Sequence, residues 1–192
     1  MGGPTAEHND RRPHLRRKAR RLLAALSAKE REGLLVRCWI SHDARWYTAV
    51  ARAFGIDAAN KLNQFAARET GKIEAVRITR ALGLAPVVTL DDYAVVHEVL
   101  IGLLGPDLID YELLAAGDGA WEFRVRRCFA HENVMRAGIG EEYECGVFAR
   151  VTGWMEALGL NCEMTPALAG CARAQGRECR YRFKLRDGIQ PT

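Results

Sequence analysis

The hydrophobic period of this chain changes once, and that change constrains its fold more than any other feature. Up to Leu104, apolar side chains recur at the spacing of one helix face. After Gly105-Pro106 they alternate with polar ones, as in Trp121 to Arg126. We therefore expect an α+β fold, with a helical N-terminal half packed on a C-terminal antiparallel sheet of about four strands in ββ-αα-ββ order.

Three helices are expected before the change of period. Ser27 and Glu30 form a capping-box pattern, which predicts a helix from about residue 28 past residue 39. A second helix is predicted over 57–82 and a third over 89–104. The stripes that we expect to face the core are Leu34, Leu35, Cys38, Trp39, His42 and Trp46 in the first helix, and Ala58, Leu62, Phe65, Ala66, Ile73, Val76 and Arg80 in the second.

The second half begins with a predicted hairpin. Ala116-Gly117-Asp118-Gly119 contains an Asp-Gly pair, which is typical of a tight turn between antiparallel strands. The remaining segments are expected to be strands at 109–115, 120–127, 162–169 and 178–185, and helices at 129–138 and 141–158.

The positive charge of the chain is concentrated near its beginning. The net charge is +4, yet residues 1–21 hold seven of the 28 lysines and arginines and two of the 24 acidic residues. Such an arm can lie in solvent or bind phosphate or anionic lipid, and no recognised nucleic-acid module follows it. The expected organisation is a flexible basic arm (1–21), a helical region (22–105) forming one compact domain with an α+β region (106–187), and a tail (188–192).

Composition excludes several classes of protein. No apolar run approaches the ~18 residues of a transmembrane helix, and residues 5–20 are too polar for a secretory signal. We therefore expect a cytoplasmic protein, in which six cysteines stay reduced as buried thiols, metal ligands or reactive thiols. The P-loop, the dinucleotide fingerprint, the zinc-protease motif and the serine-hydrolase elbow are absent from the sequence.

Two cysteines near the end of the chain are placed symmetrically. Cys171 and Cys179 each lie four residues from Gln175, and Gly176 suits the left-handed position of a hairpin tip. Opposed thiols there would lie within about 6 Å of one another. Metal binding, redox chemistry and simple packing all remain open for this pair, and Cys145 is either a core residue or a third metal ligand. The metal would be zinc or iron.

Two further groups of residues have chemical potential. Cys128, His131 and Glu132 fall at a strand-to-helix junction, where a helix N-terminus lowers the pKa of a thiol. His42 precedes Asp43 and lies one helical turn before Trp46, so it is a candidate general base or ligand. The alternatives are a small buried thiol beside a solvated helix face and a capping or core histidine.

The motifs resemble a little-characterised bacterial family near the L-2-amino-thiazoline-4-carboxylic acid hydrolases. The similarity rests on Trp39 to Tyr47, Phe54 to Ala59, Lys72 to Ile78 and the spaced cysteines ending in Cys179-Arg180-Tyr181-Arg182-Phe183. It implies a hydrolase acting on a cyclic C=N substrate. The expected catalytic residues are His42, Asp43, Cys128 and Glu132, and the expected substrate-binding residues are Trp46, Arg77 and His131.

A second resemblance competes with the first. The ββ-αα-ββ order and the segment Gly176 to Phe183 are similar to 4-vinyl-reductase-type small-molecule-binding domains. This resemblance implies a non-catalytic sensor or assembly domain in which late cysteines such as Cys171 and Cys179 bind a ligand or a metal. A small-molecule substrate or ligand is expected in either case, and a homodimer is left open.

Overall fold

The computed structural model describes residues 12–117 and 119–186 and has the expected α+β architecture. Helices precede an antiparallel sheet whose middle connection is helical, so the ββ-αα-ββ order is confirmed. The elements are α1 (Arg12–Ala24), α2 (Ala28–Phe54), α3 (Ile56–Leu82), α4 (Leu90–Leu104), β1 (Ile109–Ala115), β2 (Ala120–Cys128), α5 (Phe129–Arg136), α6 (Gly146–Ala157), β3 (Cys162–Thr165) and β4 (Cys179–Leu185).

The sheet has the strand order β1-β2-β4-β3, and every neighbouring pair is antiparallel. In β4 the alternation predicted from the sequence is confirmed, because Tyr181 and Phe183 are buried while the basic residues that alternate with them, Arg180, Arg182 and Lys184, are exposed. One face of the sheet therefore packs against the protein interior. The register of β2 against β4 sets Val125 opposite Cys179.

The main core lies between this face of the sheet and helices α4 and α6. Tyr93 and Leu100 come from α4 and Trp154 from α6, and all three are almost wholly buried. Phe123 and Phe183 meet edge to face across the sheet, with ring centroids 5.1 Å apart. Aromatic side chains thus fill most of the space between the two layers.

Helix α3 packs closely on α6 because two glycines remove the side chains at their crossing. A Cβ atom at Gly71 would lie 2.4 Å from the carbonyl oxygen of Arg150, and one at Gly153 would lie 2.1 Å from that of Arg68. Beside the crossing, Glu74 pairs with Arg150 and accepts a 3.1 Å hydrogen bond from Trp154 Nε1. The close approach is therefore reciprocal and is joined by a largely buried ion pair.

Two of the predicted helix starts are confirmed by their hydrogen bonds. Ser27 Oγ accepts from the backbone N–H of Glu30 at 3.2 Å, and the Glu30 carboxylate accepts from the backbone N–H of Ser27 at 2.8 Å. The same reciprocal arrangement joins Thr89 and Asp92 at the start of α4. Local side-chain chemistry therefore fixes where these helices begin.

The expected core stripes of α2 and α3 are wrong. Leu35 and Trp46 are 70% and 62% exposed, and Phe65 is 67% exposed. In α3 the interior face consists of the small residues Ala59, Asn60, Gly71 and Ala75. The reason is that close packing on α6 selects small side chains, so the larger apolar stripe lies on the opposite face of the helix.

The segment before β4 is not the first arm of a hairpin. Cys171 begins a helical turn in which the N–H of Gln175 bonds the Cys171 carbonyl at 3.1 Å, and Gly176 ends the turn with φ 71°. The expected strand over 162–169 is confined to β3, which pairs directly with β4. The left-handed glycine is confirmed, whereas the opposed-strand arrangement of Cys171 and Cys179 is wrong.

The chain divides into two compact units inside α2, between His42 and Asp43. The described residues 12–46 include no fully buried side chain, whereas Tyr47 and Val50 further along α2 join a core cluster with Val134 and Tyr143. This division lies later in the chain than the end of the basic arm. Of the expected arm and tail, residues 1–11 and 188–192 lie outside the described part, and residues 12–24 form α1.

Among the residues described, no helix has both the length and the apolar character needed to cross a bilayer.

Candidate functional site

Four cysteines from four places in the fold line one small cavity. Cys128 and Cys145 are the N-caps of α5 and α6, Cys171 begins the turn after β3, and Cys179 begins β4. His131 and Arg173 line the same cavity, as do the aromatic rings of Tyr143 and Tyr181. The volume of the cavity is about 20 Å³, which is room for about one water molecule.

Backbone pairing joins the two segments that carry Cys145 and Cys171. The N–H of Cys145 donates to the carbonyl of Ala169 at 3.1 Å, and the N–H of Cys171 donates to the carbonyl of Tyr143 at 2.9 Å. These bonds flank a single antiparallel bridge between Glu144 and Gly170. The position of Cys145 relative to Cys171 is thus set by main-chain hydrogen bonds rather than by a regular strand.

A buried asparagine of α3 holds the loop that leads to Cys145. Asn60 Nδ2 donates to the carbonyl of Glu142 at 2.7 Å, and Asn60 Oδ1 accepts from the N–H of Glu144 at 3.1 Å. The same oxygen accepts from Tyr47 Oη at 2.7 Å. Next to this loop, Tyr143 Oη accepts from the N–H of Gly146 at 3.1 Å.

Burial keeps Cys128, Cys145 and Cys179 protonated at neutral pH. It raises the pKa of Cys145 and of Cys179 to about 12, and it also raises the pKa of Cys128. The backbone N–H groups at the start of α5 and the Arg173 guanidinium partly offset the rise at Cys128. Negative charge on Cys128 or Cys179 would raise the pKa of Cys145 further, because these thiols are close enough for their charges to interact.

Cys171 is the thiol that contacts an imidazole. Its Sγ lies 3.8 Å from Nδ1 of His131, which is within the range of a weak sulfur hydrogen bond. Arg173 follows two residues later, and its Nη1 donates to the carbonyl of Val125 at 3.4 Å. The Nε of Arg173 is buried without a hydrogen-bond partner, so a positive group stands beside the thiols with one donor unused.

The expected catalytic and substrate-binding residues are not gathered in one place. Cys128 and His131 line the cavity, whereas the carboxylate of Glu132 lies 3.8 Å from Arg127. Four of the remaining candidates have exposed side chains on the long helices: His42, Asp43, Trp46 and Arg77. The three expected metal ligands Cys145, Cys171 and Cys179 all line the cavity.

Sequence reasoning missed the basic and aromatic lining of the site. Arg173 lies between the two late cysteines, and its position two residues from Cys171 was the available signal. Tyr143, two residues before Cys145, is buried and also lines the cavity. Asn60 gave no local signal, because the loop residues that it holds, Glu142 and Glu144, are more than 80 residues away in sequence.

The residues described do not form a ready-made metal site, since no three of their His, Cys, Asp or Glu side chains are arranged to hold an ion. All six cysteines are free thiols. Of these, Cys38 is exposed on α2, and Cys162 lies in β3 outside the lining of the cavity.

The fold and the site together define an α+β protein with a cysteine-lined cavity beside its sheet. Residues 24–152 match a family of unknown function, DUF6125, and the chain belongs to that family. The match covers more than half of the chain but ends before Cys171 and Cys179. A comparison with curated proteins finds no match.

Proposed function

We propose that this protein is a metal-binding protein whose cavity thiols hold one zinc ion. The observation that carries the proposal is that four cysteines line one cavity, which has room for a single ion: Cys128, Cys145, Cys171 and Cys179. Four thiolates at tetrahedral positions are a common ligand set of structural zinc. Iron is the other metal that such a set accepts.

The surroundings suit the charge that such a centre would carry. Zinc with four thiolates has a net charge of about −2, taking one negative charge for each sulfur. Two of the four cysteines are N-caps, where the helix N-terminus favours negative charge. The guanidinium of Arg173, with its unused buried donor, supplies a formal positive charge beside the same sulfurs. An ion would draw the thiols inward by side-chain rotation and displace their protons.

Thiazoline-type hydrolysis stays a prediction with less support. Its strongest observation is the contact of Cys171 with His131, because an imidazole can activate a thiol. Against it, the cavity has room for about one water molecule, and burial raises the pKa of Cys128, which disfavours the nucleophilic thiolate. A non-catalytic role, as in the second resemblance, agrees better with these features.

A cytoplasmic location is part of the proposal, because free thiols persist in a reducing compartment.

Metal analysis of the full chain, purified without a chelating tag and then dialysed against zinc, tests the proposal. We expect one zinc per chain, and a chelator competition should show that Cys145→Ser and Cys179→Ser weaken binding by about tenfold or more. Cys38→Ser and Cys162→Ser are the matched controls and should bind as the parent does. Circular dichroism shows whether each variant has folded. A folded parent protein that retains no metal after dialysis would overturn the proposal.

A further inference from the structure

Beyond its first residue, Arg12, helix α1 separates its charges from its apolar side chains. Leu15, Ala19, Leu22 and Leu23 follow the i, i+4, i+7, i+8 spacing of one helix face. The remaining faces are basic and contain Arg16, Arg17, Lys18, Arg20 and Arg21. No acidic residue lies between Arg12 and Ala24, so nothing within the helix neutralises this charge.

Within the described part of the chain, residues 12–117 and 119–186, the apolar face of α1 is not buried. Leu15, Leu22 and Leu23 are 51%, 66% and 55% exposed, and α1 contains no buried residue. Leaving three leucines in water forgoes the burial that normally stabilises an amphipathic helix. None of the residues that the structure describes therefore buries this face.

We propose that α1 binds the surface of an anionic lipid bilayer. A helix that combines a leucine stripe with a lysine- and arginine-rich face lies in the interface, with the stripe among the acyl chains and the cations near the headgroups. A second copy of α1 is a poor partner, because two helices of six formal positive charges and no negative ones repel each other. A nucleic acid would attract the cations, but its phosphate backbone offers nothing to the leucines.

The first half of α2 provides an internal comparison. Leu34 and Leu35 are also exposed, at 44% and 70%, but Glu30 and Glu32 lie close by in the same helix. That segment therefore has exposed leucines without an unbalanced basic face. A variant of that segment therefore tests the effect of exposed leucines alone, whereas α1 combines exposed leucines with a basic face.

Vesicle co-sedimentation of the full chain tests this inference independently of the cysteine site. The probes are phosphatidylcholine vesicles and vesicles containing about one third phosphatidylserine. We expect binding to the anionic vesicles only, weakening as salt rises. Leu22→Gln with Leu23→Gln should lower the partition coefficient by about tenfold or more, and Arg17→Gln with Arg21→Gln should lower it by about thirtyfold. Leu34→Gln with Leu35→Gln is the control and should leave it unchanged.

Three results would overturn the inference. Equal binding to neutral and anionic vesicles would remove the role of the charges. Binding to duplex DNA that is lost in the arginine variant but unchanged in the α1 leucine variant, without vesicle binding, would make nucleic acid the partner. A concentration-dependent dimer that the α1 leucine variant dissociates, again without vesicle binding, would make a second copy the partner. All three variants should keep the melting temperature of the parent, since the replaced residues are exposed.

Discussion

His97 is a titratable side chain enclosed by aromatic rings. It is 2% exposed, its Nδ1 lies 3.2 Å from Tyr93 Oη, and its ring lies 4.8 Å from that of Phe123 and 5.4 Å from those of Tyr111 and Trp154. Burial lowers its pKa to about 3, because the charged imidazolium would lose its hydration. In the folded protein His97 is therefore a neutral core residue.

This burial predicts a loss of stability in acid. The unfolded chain takes up a proton at His97 near pH 6.5, whereas the folded chain does so only near pH 3. The contribution of neutral His97 to the free energy of unfolding is therefore complete above pH 6.5. It is lost as the pH falls, at about 1.4 kcal/mol per pH unit. When the free energy of unfolding in urea is measured between pH 7 and 4, His97→Gln should lack this part of its dependence on pH. His14→Gln, at an exposed position of α1, is the control, and equal slopes in the parent and His97→Gln would contradict the expectation.

The contact of α3 with α6 is the element-scale feature on which the core depends. It is made by two glycines that lie against the backbone of the opposite helix, and Glu74 pairs with Arg150 beside them. A helix interior normally favours alanine over glycine, so glycine here is retained for the close approach. The packing therefore overrides local helix propensity.

Gly71→Ala and Gly153→Ala should each destabilise the protein by about 1–3 kcal/mol, because the added methyl group overlaps a backbone carbonyl. Gly102→Ala is the control within a helix. A Cβ at Gly102 meets nothing within 4 Å, so alanine should raise the stability by about 0.5–1 kcal/mol. Thermal or urea unfolding measures both effects. If Gly153→Ala matched Gly102→Ala in stability, the close contact would not limit the packing.

Local signals predicted the elements better than they predicted which faces are buried. The capping pairs at Ser27 and Thr89 fixed two helix starts, and the alternation of β4 identified its interior face. The buried face of α3 was missed, because the size of its side chains is set by α6, which follows much later in the chain. The cysteine site was predicted in part. Its thiols were recognised, but a single backbone bridge rather than a hairpin joins the segments that carry Cys171 and Cys145.

At the scale of the whole molecule, stability is unevenly distributed along the chain. The described residues up to 46 contribute no fully buried side chain, while Tyr47 and Val50 enter a core cluster soon afterwards. Helix α2 runs through this boundary without a break. The free energy of unfolding should therefore depend on the second unit almost alone.

A chain that begins at Ser27, and so retains the capping box of α2, should melt within about 2 °C of the full chain, because it loses no core contact. A chain that begins at residue 51 removes Tyr47 and Val50 and should melt several degrees lower, at about 4 °C or more. Differential scanning calorimetry distinguishes the two. A large fall in melting temperature for the first truncation would mean that α1 stabilises the core.

The four cavity thiols also become available in a fixed order while the chain is synthesised. Cys128 and Cys145 emerge from the ribosome well before Cys179, and Cys179 reaches its place only when β4 pairs with β2. Until then the nascent chain has the first two thiols without the wall that encloses them. The complete site can therefore exist only after translation has passed β4, and its formation marks the moment at which the sheet is joined.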